Sequence, residues 1–185
     1  MRSARTHYDV VVPDGVVVLR PTPDGIDTLY LGSTMSDHFI VVVPRDPRLV
    51  PTDEVQRRIV EVLNRIAPGA ENVMAEVSPQ VKFFDCGQNF QRVSCPHCSS
   101  EIGIDWWQER MDDDTDGIGF RLDRYGAPCC AKSLNLNELI YDWPQAFGRF
   151  SWTLQNPNIG ELTDASKSEL EAAAGFGLML IQQHV

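Results

Sequence analysis

Between Thr52 and Gly69 the apolar residues Val55, Ile59, Val62, Leu63 and Ile66 recur three or four positions apart, which gathers them on one face of a helix. Pro68-Gly69 supplies its stop, and Asp53 with Gln56 predicts a capping box at its start. Upstream, the apolar run in HFIVVV predicts a strand over 38–43, ended by Pro44, Pro47 and Pro51. Downstream, NVMAEVS and QVKFFDC read as short strands separated by Ser78-Pro79. Asp105 with Gln108 is expected to cap a short helix over WWQERMDD, and GIGFRLDRY alternates like a strand. SLNLNELIYDWPQ reads as a turn and a short helix ended by Pro144, then AFGRFSWTL as a strand stopped at Asn156-Pro157-Asn158. TDASKSELEAAAG predicts a helix closed by Gly175 in a left-handed conformation, and LMLIQQHV a last strand. The sum is an α+β fold: a mostly antiparallel sheet with one to three helices. No internal repeat or low-complexity tract is visible.

Residues 8–31 form a separate pattern. YDVVV and VVVLR flank the turn Pro13-Asp14-Gly15, and Pro21, Pro23 and Gly25 lead to TLYLG, which reads as β-hairpins. Met35-Ser36-Asp37 before the strand at 38–43 looks like the start of a compact unit. Residues 1–34 are therefore expected to be a dispensable N-terminal β extension or appendage, and 35–185 a single α+β domain.

Composition narrows the function classes. With 185 residues, 43% hydrophobic and 23% charged, the chain fits one globular domain with a sizeable core. A net charge of −10 argues against nucleic acid as a partner and suits a basic protein instead. No apolar run is long enough to cross a bilayer, and MRSARTHYDVVVPDG lacks the apolar core of a signal peptide. The expected location is the cytoplasm, where paired cysteines more often hold metal or do redox chemistry than form structural disulfides.

Four of the five cysteines fall in one stretch. Cys95 and Cys98 make a C-x-x-C knuckle, Cys129 and Cys130 are adjacent, and about thirty residues lie between the pairs. Thiolates satisfy Zn²⁺ in a closed tetrahedron, and Pro96 and Pro128 would stiffen the two turns. The expected cofactor is a structural zinc ion at Cys95, Cys98, Cys129 and Cys130, in a zinc-ribbon-like or zinc-knuckle excursion from the sheet. Adjacent residues in an extended chain point to opposite sides, so the backbone must turn at Cys129-Cys130. If it does not, Cys86 or His97 could supply the fourth ligand.

Other chemistries compete for the same residues. CPHC is also the active-site tetrapeptide of periplasmic thiol oxidases of the thioredoxin fold, where a long helix follows the motif directly and a cis-proline loop faces it. Here Gly103 interrupts the segment after Cys98, and the helix signal starts only near Asp105. Asp112, Asp114, Asp116-Gly117 and Asp123 match the spacing of a calcium loop, but the loop normally ends in glutamate before a second helix. A solvated turn is the simpler expectation for these aspartates. Trp106, Trp107, Tyr141, Trp143, Phe147 and Trp152 are read as core, with Trp107 or Trp143 a protein-binding anchor if exposed.

The succession MSDHFIVVVP, VKFFDCG, CPHC, IDWWQ, PCC, SLN, YDWPQAFGRF, NPN and SELEAAAG resembles a set of small bacterial proteins of unassigned function, from Met35 onward. The resemblance implies a bacterial protein with a zinc knuckle at the four cysteines and imports no activity. The resulting expectation is a non-enzymatic protein-binding module stabilised by structural zinc, of the inhibitor or immunity type, facing a basic partner. The alternative is an enzyme, either a zinc-dependent hydrolase or a CPHC thiol oxidoreductase.

Overall fold

The computed structural model describes residues 37–160 and 162–184. The hairpins expected within 1–34 lie outside the described residues. In chain order the elements are β1 (His38–Pro44), α1 (Asp53–Ile66), β2 (Asn72–Phe84), β3 (Val93–Ser94), β4 (Glu101–Ile102), α2 (Ile104–Asp114), β5 (Tyr125–Gly126), β6 (Ser133–Leu134), β7 (Ile140–Tyr141), β8 (Ala146–Gln155), α3 (Asp164–Ala174) and β9 (Leu178–His184). Three helices and antiparallel sheets make the fold α+β, as the sequence pattern predicts.

The main sheet has the order β2-β8-β1-β9, with every pairing antiparallel. The unbroken apolar run of β1 follows from its place inside that sheet. Ile40 and Val42 point into a core closed by α1 and α3, while Val41 and Val43 pack on the opposite face with Ala146 and Ile181. Ile59, Val62 and Leu63 of α1 and Leu170 of α3 meet Phe150, Trp152 and Leu154 of β8 in the larger cluster. Phe150 and Trp152 stack edge to face at 4.5 Å, and the Trp152 indole N–H donates to Gln56 O at 3.3 Å.

The cap of α1 sits one residue before the expected Asp53. The Thr52 hydroxyl accepts from the Val55 N–H, and Gln56 turns its amide back onto Pro51 O at 2.8 Å. Asp53 and Glu54 occupy the first turn, where carboxylates face the positive end of the helix dipole. α3 closes as its sequence predicts: Gly175 takes φ 81° and donates its N–H to Glu171 O.

β2 corrects the expectation of two strands. It runs through Ser78-Pro79 as one element, but its register breaks there: Val77 pairs with Phe150 and Lys82 with Gly148, so Ser78, Pro79, Gln80 and Val81 all stand opposite Arg149. A proline has no N–H for the ladder, so the bulge is where this strand can hold one.

The segment between β2 and β8 packs against the end of the sheet around a further apolar cluster. Val81 and Phe83 of β2 and Phe147 of β8 join Val93, Ile102, Leu122, Leu134, Leu136 and Leu139 in its core. α2 supplies Trp106, Trp107 and Met111 to the same cluster. Its start differs from the expected Asp105 cap, because Gly103 holds the N-cap position without any side-chain hydrogen bond. GIGFRLDRY is not a strand: Phe120 makes isolated bridges to Val81 and Thr115, and regular pairing resumes only at β5. The cause is Asp114, fully buried, whose carboxylate accepts from the backbone N–H groups of Leu122 (2.8 Å) and Asp123 (2.7 Å) and from the Tyr125 hydroxyl (3.0 Å). The expected short helix before Pro144 is a single 3-10 turn, Leu136–Glu138, boxed by Asn135 and Glu138.

Candidate metal centre

The two cysteine pairs sit on two hairpins with the same backbone. In the first, β3 and β4 pair Val93 with Ile102 and Ser94 with Glu101; in the second, β5 and β6 pair Tyr125 with Leu134 and Gly126 with Ser133. The Cys95 N–H donates to Ser100 O and the Ser99 N–H to Cys95 O, both at 2.9 Å. The second hairpin matches bond for bond, with Ala127 N–H to Lys132 O at 2.9 Å and Ala131 N–H to Ala127 O at 2.8 Å. Ser99 and Ala131 take the same left-handed φ, 59° and 58°. The hairpins therefore repeat each other, although their residues hide it: Pro96 matches Pro128, His97 matches Cys129, Cys98 matches Cys130, and Ala127 stands where the first hairpin has Cys95.

That turn answers the difficulty of adjacent cysteines. The chain reverses through Pro128, Cys129 and Cys130, so both sulfurs face the first hairpin. Cys95 Sγ lies 3.8 Å from Cys130 Sγ, Cys98 Sγ lies 3.3 Å from Cys129 Sγ, and all four sulfurs fall within 4.8 Å of one another. These separations fit thiolates arranged around one metal ion at ordinary metal–sulfur distances of about 2.3 Å. The four cysteines are thus arranged to hold a metal ion. Cys95 is buried and Cys130 half-buried, whereas Cys98 and Cys129 are exposed. The His97 backbone N–H donates to Cys95 Sγ at 3.4 Å, the kind of amide that stabilises charge on a ligating sulfur.

The thiols differ in their readiness to ionise. Hydrogen bonds with the Ser100 hydroxyl and backbone, and then with Cys129, pull the Cys98 thiol down to about 6. The hydrogen bond with Cys98, with a smaller contribution from partial desolvation, in turn pushes the Cys129 thiol up to about 12. At Cys130 the Lys132 backbone N–H favours the thiolate, but burial and the neighbouring thiols outweigh it and raise the group. A divalent cation offsets the repulsion between neighbouring sulfurs and so favours binding as thiolates.

Neither substitute ligand joins them. Cys86 is buried in the cluster on the opposite face of the sheet, with Val41, Val43 and Ile181, and burial pushes its thiol up to about 11. His97 is exposed and its Nε2 lies 3.1 Å from Ser133 O. Thioredoxin-like geometry is not found either, because CPHC lies in the turn of a hairpin and the next helix starts only at Ile104, so the first cysteine, Cys95, is not at a helix N-terminus.

The aspartates with calcium-loop spacing disperse into structural roles. Asp114 is the buried anchor described above, Asp116 accepts the N–H groups of Ile118 and Gly119, and Asp123 pairs with Arg121. The expectation that all were solvated fails at Asp114. Among the described residues the cysteines form the one cluster suited to a metal. The candidate anchors Trp107 and Trp143 are half-buried and packed. Trp107 stacks on Phe90 at 4.8 Å, and its indole N–H donates to Tyr141. No sequence signal short of the tertiary fold pointed to Asp114, since an aspartate ending an acidic run reads locally as a solvent-facing turn.

The chain matches no protein-family model, no curated protein and no solved structure. Its motif resemblance to small bacterial proteins therefore identifies no family. Among the described residues, no helix is long and apolar enough to cross a membrane.

Proposed function

We infer that this protein is a non-enzymatic protein-binding module stapled by one structural zinc ion at Cys95, Cys98, Cys129 and Cys130. The observation that carries the reading is the closed, all-sulfur ligand set: four sulfurs within 4.8 Å of one another. Soft thiolate ligands in a tetrahedral set select zinc over the hard cations that carboxylates prefer. Four thiolates also leave no coordination position for a water or substrate, which a zinc hydrolase needs. The acidic chain, at −10, suits a basic protein partner in the cytoplasm, and the role is that of an inhibitor or immunity-type protein.

Two measurements test the two halves of this reading. Elemental analysis of protein purified without added metal should give about one zinc per chain; iron or no metal would sink the metal assignment. Affinity capture from the source cell should retain a basic protein that is released as salt rises, because screening weakens long-range charge attraction. A partner that is acidic, or whose retention ignores salt, would remove the second half and leave the first intact.

A further inference from the structure

The bulge in β2 opens a cleft of about 390 Å³ against the segment that follows α2. Three arginines from distant parts of the chain line it: Arg48 after β1, Arg121 before β5, and Arg149 of β8. Such a concentration of guanidinium is unexpected in a chain of net charge −10. Like charges converge at a loss unless something of opposite sign joins them.

The arginines are also held in place from behind. Arg149 is the β8 residue that faces the bulge; its backbone N–H donates to Pro47 O at 3.0 Å and its Nε to Ser78 O at 3.2 Å. Arg48 spends one Nη2 hydrogen on Arg121 O at 2.9 Å. Arg121 is paired with Asp123. Arg48 and Arg149 have no carboxylate at ion-pair distance among the described residues, so two guanidinium charges and most of their donors remain for a ligand. Close approach of the far wall is required as well: a Cβ on Gly119 would come within 2.5 Å of Gln80 Cβ and 3.0 Å of Val81 O.

From this geometry we propose that the cleft is a binding site for a phosphate group carried by a small molecule. Guanidinium forks give charge-assisted hydrogen bonds to phosphate oxygens, and two unpaired positive charges match a phosphate dianion better than a singly charged carboxylate. Asp116 is the acidic residue in the cleft. Its Oδ1 is occupied by the Ile118 and Gly119 N–H groups, at 2.9 and 3.0 Å. A hydroxyl or ammonium group on the molecule that bears the phosphate would pair with the other Asp116 oxygen. A phosphate monoester with such a neighbour therefore fits better than the bare ion. None of the lining residues is a cysteine, so the cleft is independent of what the four thiols hold.

Titration of the full chain with inorganic phosphate, phosphoserine and acetate, at constant ionic strength and followed by phosphorus NMR and calorimetry, tests it. Saturable binding of phosphate or phosphoserine but not acetate is expected. Tighter binding of phosphoserine than of inorganic phosphate supports a monoester, whereas equal binding overturns the monoester assignment. Arg149→Gln and Arg48→Gln should each weaken the interaction about tenfold or more, as loss of a charge-assisted hydrogen bond does. Arg58→Gln, the same charge change on the exposed side of α1, should leave it unaltered. Arg48 is exposed and reaches the rest of the fold through a single side-chain bond, so its variant keeps the test open if Arg149→Gln fails to fold. Absence of saturation with every phosphate probe overturns the proposal, as does an Arg48→Gln protein that binds like the parent or an Arg58→Gln protein that is weakened equally.

Discussion

The strands of the main sheet are seven to thirteen residues long and bury Phe150, Trp152 and Leu154 beneath α1 and α3, whereas the strands around the cysteines are two residues each. A two-residue ladder contributes few hydrogen bonds against about 1–2 kcal/mol of backbone entropy for each residue ordered. Apolar clusters cover both faces of the sheet. The cysteine-bearing segment shares its core with Val81, Phe83 and Phe147 of the sheet, and its turns project Cys98 and Cys129 into solvent. Its attachments are point-like: the four-cysteine cluster at one place and the buried Asp114 carboxylate at another. The contrast teaches that the same chain uses area where its elements are long and specific cross-links where they are short.

The sharpest way to break the comparison is Cys95→Ser. Metal binding should be lost with it, and because ligation is coupled to folding the loss should be at least several kcal/mol, against binding energies of roughly 10–16 kcal/mol for structural zinc. Amide exchange should show protection vanishing across 93–134 while β1 and β8 keep theirs; equal loss in both regions would show that the two halves do not differ. Asp114→Asn comes next. The amide keeps one acceptor but sets an NH₂ against donors, so roughly 1–3 kcal/mol should be lost. The readout is faster metal release to a chelator with the sheet's denaturation unchanged.

A smaller effect lies at high pH. Burial and the hydrogen bond to Asp114 push the Tyr125 hydroxyl up to about 12. A raised value means that its stabilising contribution is complete below the ordinary tyrosine value of about 10 and is lost as pH rises through the folded value. The cysteine unit should loosen in that window and the sheet should not, and Tyr125→Phe should remove this part of the pH dependence. Deleting residues 1–34 should move the melting point by only a few degrees, a change of about 1 kcal/mol. β1, which directly follows the deleted stretch, is already paired on both sides, by β8 and β9. Early aggregation of the truncated chain would contradict this. The smallest net effect is expected from a paired exchange. Cys129→Ala should lose tight metal binding, and adding Ala127→Cys should restore it, because Ala127 occupies the place that Cys95 holds in the first hairpin. Failure of the double variant to recover its metal would show that the hairpins are alike in backbone only.

Much of this protein is written locally. The α1 and α3 stripes, the Gly175 stop, β8, β9 and the four clustered cysteines follow from spacing within a few residues, because helix faces, caps and metal knuckles are short-range devices. The continuity of β2 across Ser78-Pro79 was not legible, since a bulge exists only relative to the strand it faces, here Arg149 on β8. Nor was the burial of Asp114: its partners Leu122, Asp123 and Tyr125 replace water only once the chain has folded back over it. The kinship of the two hairpins was hidden because Ala127 takes the place of a cysteine, and backbone hydrogen bonds, not side chains, carry the likeness. The cleft of Arg48, Arg121 and Arg149 is likewise assembled from positions that the sequence keeps far apart. Periodicity and motif determine elements and ligands; which buried charge is satisfied, and which exposed charges converge, depends on long-range packing that only the tertiary structure decides.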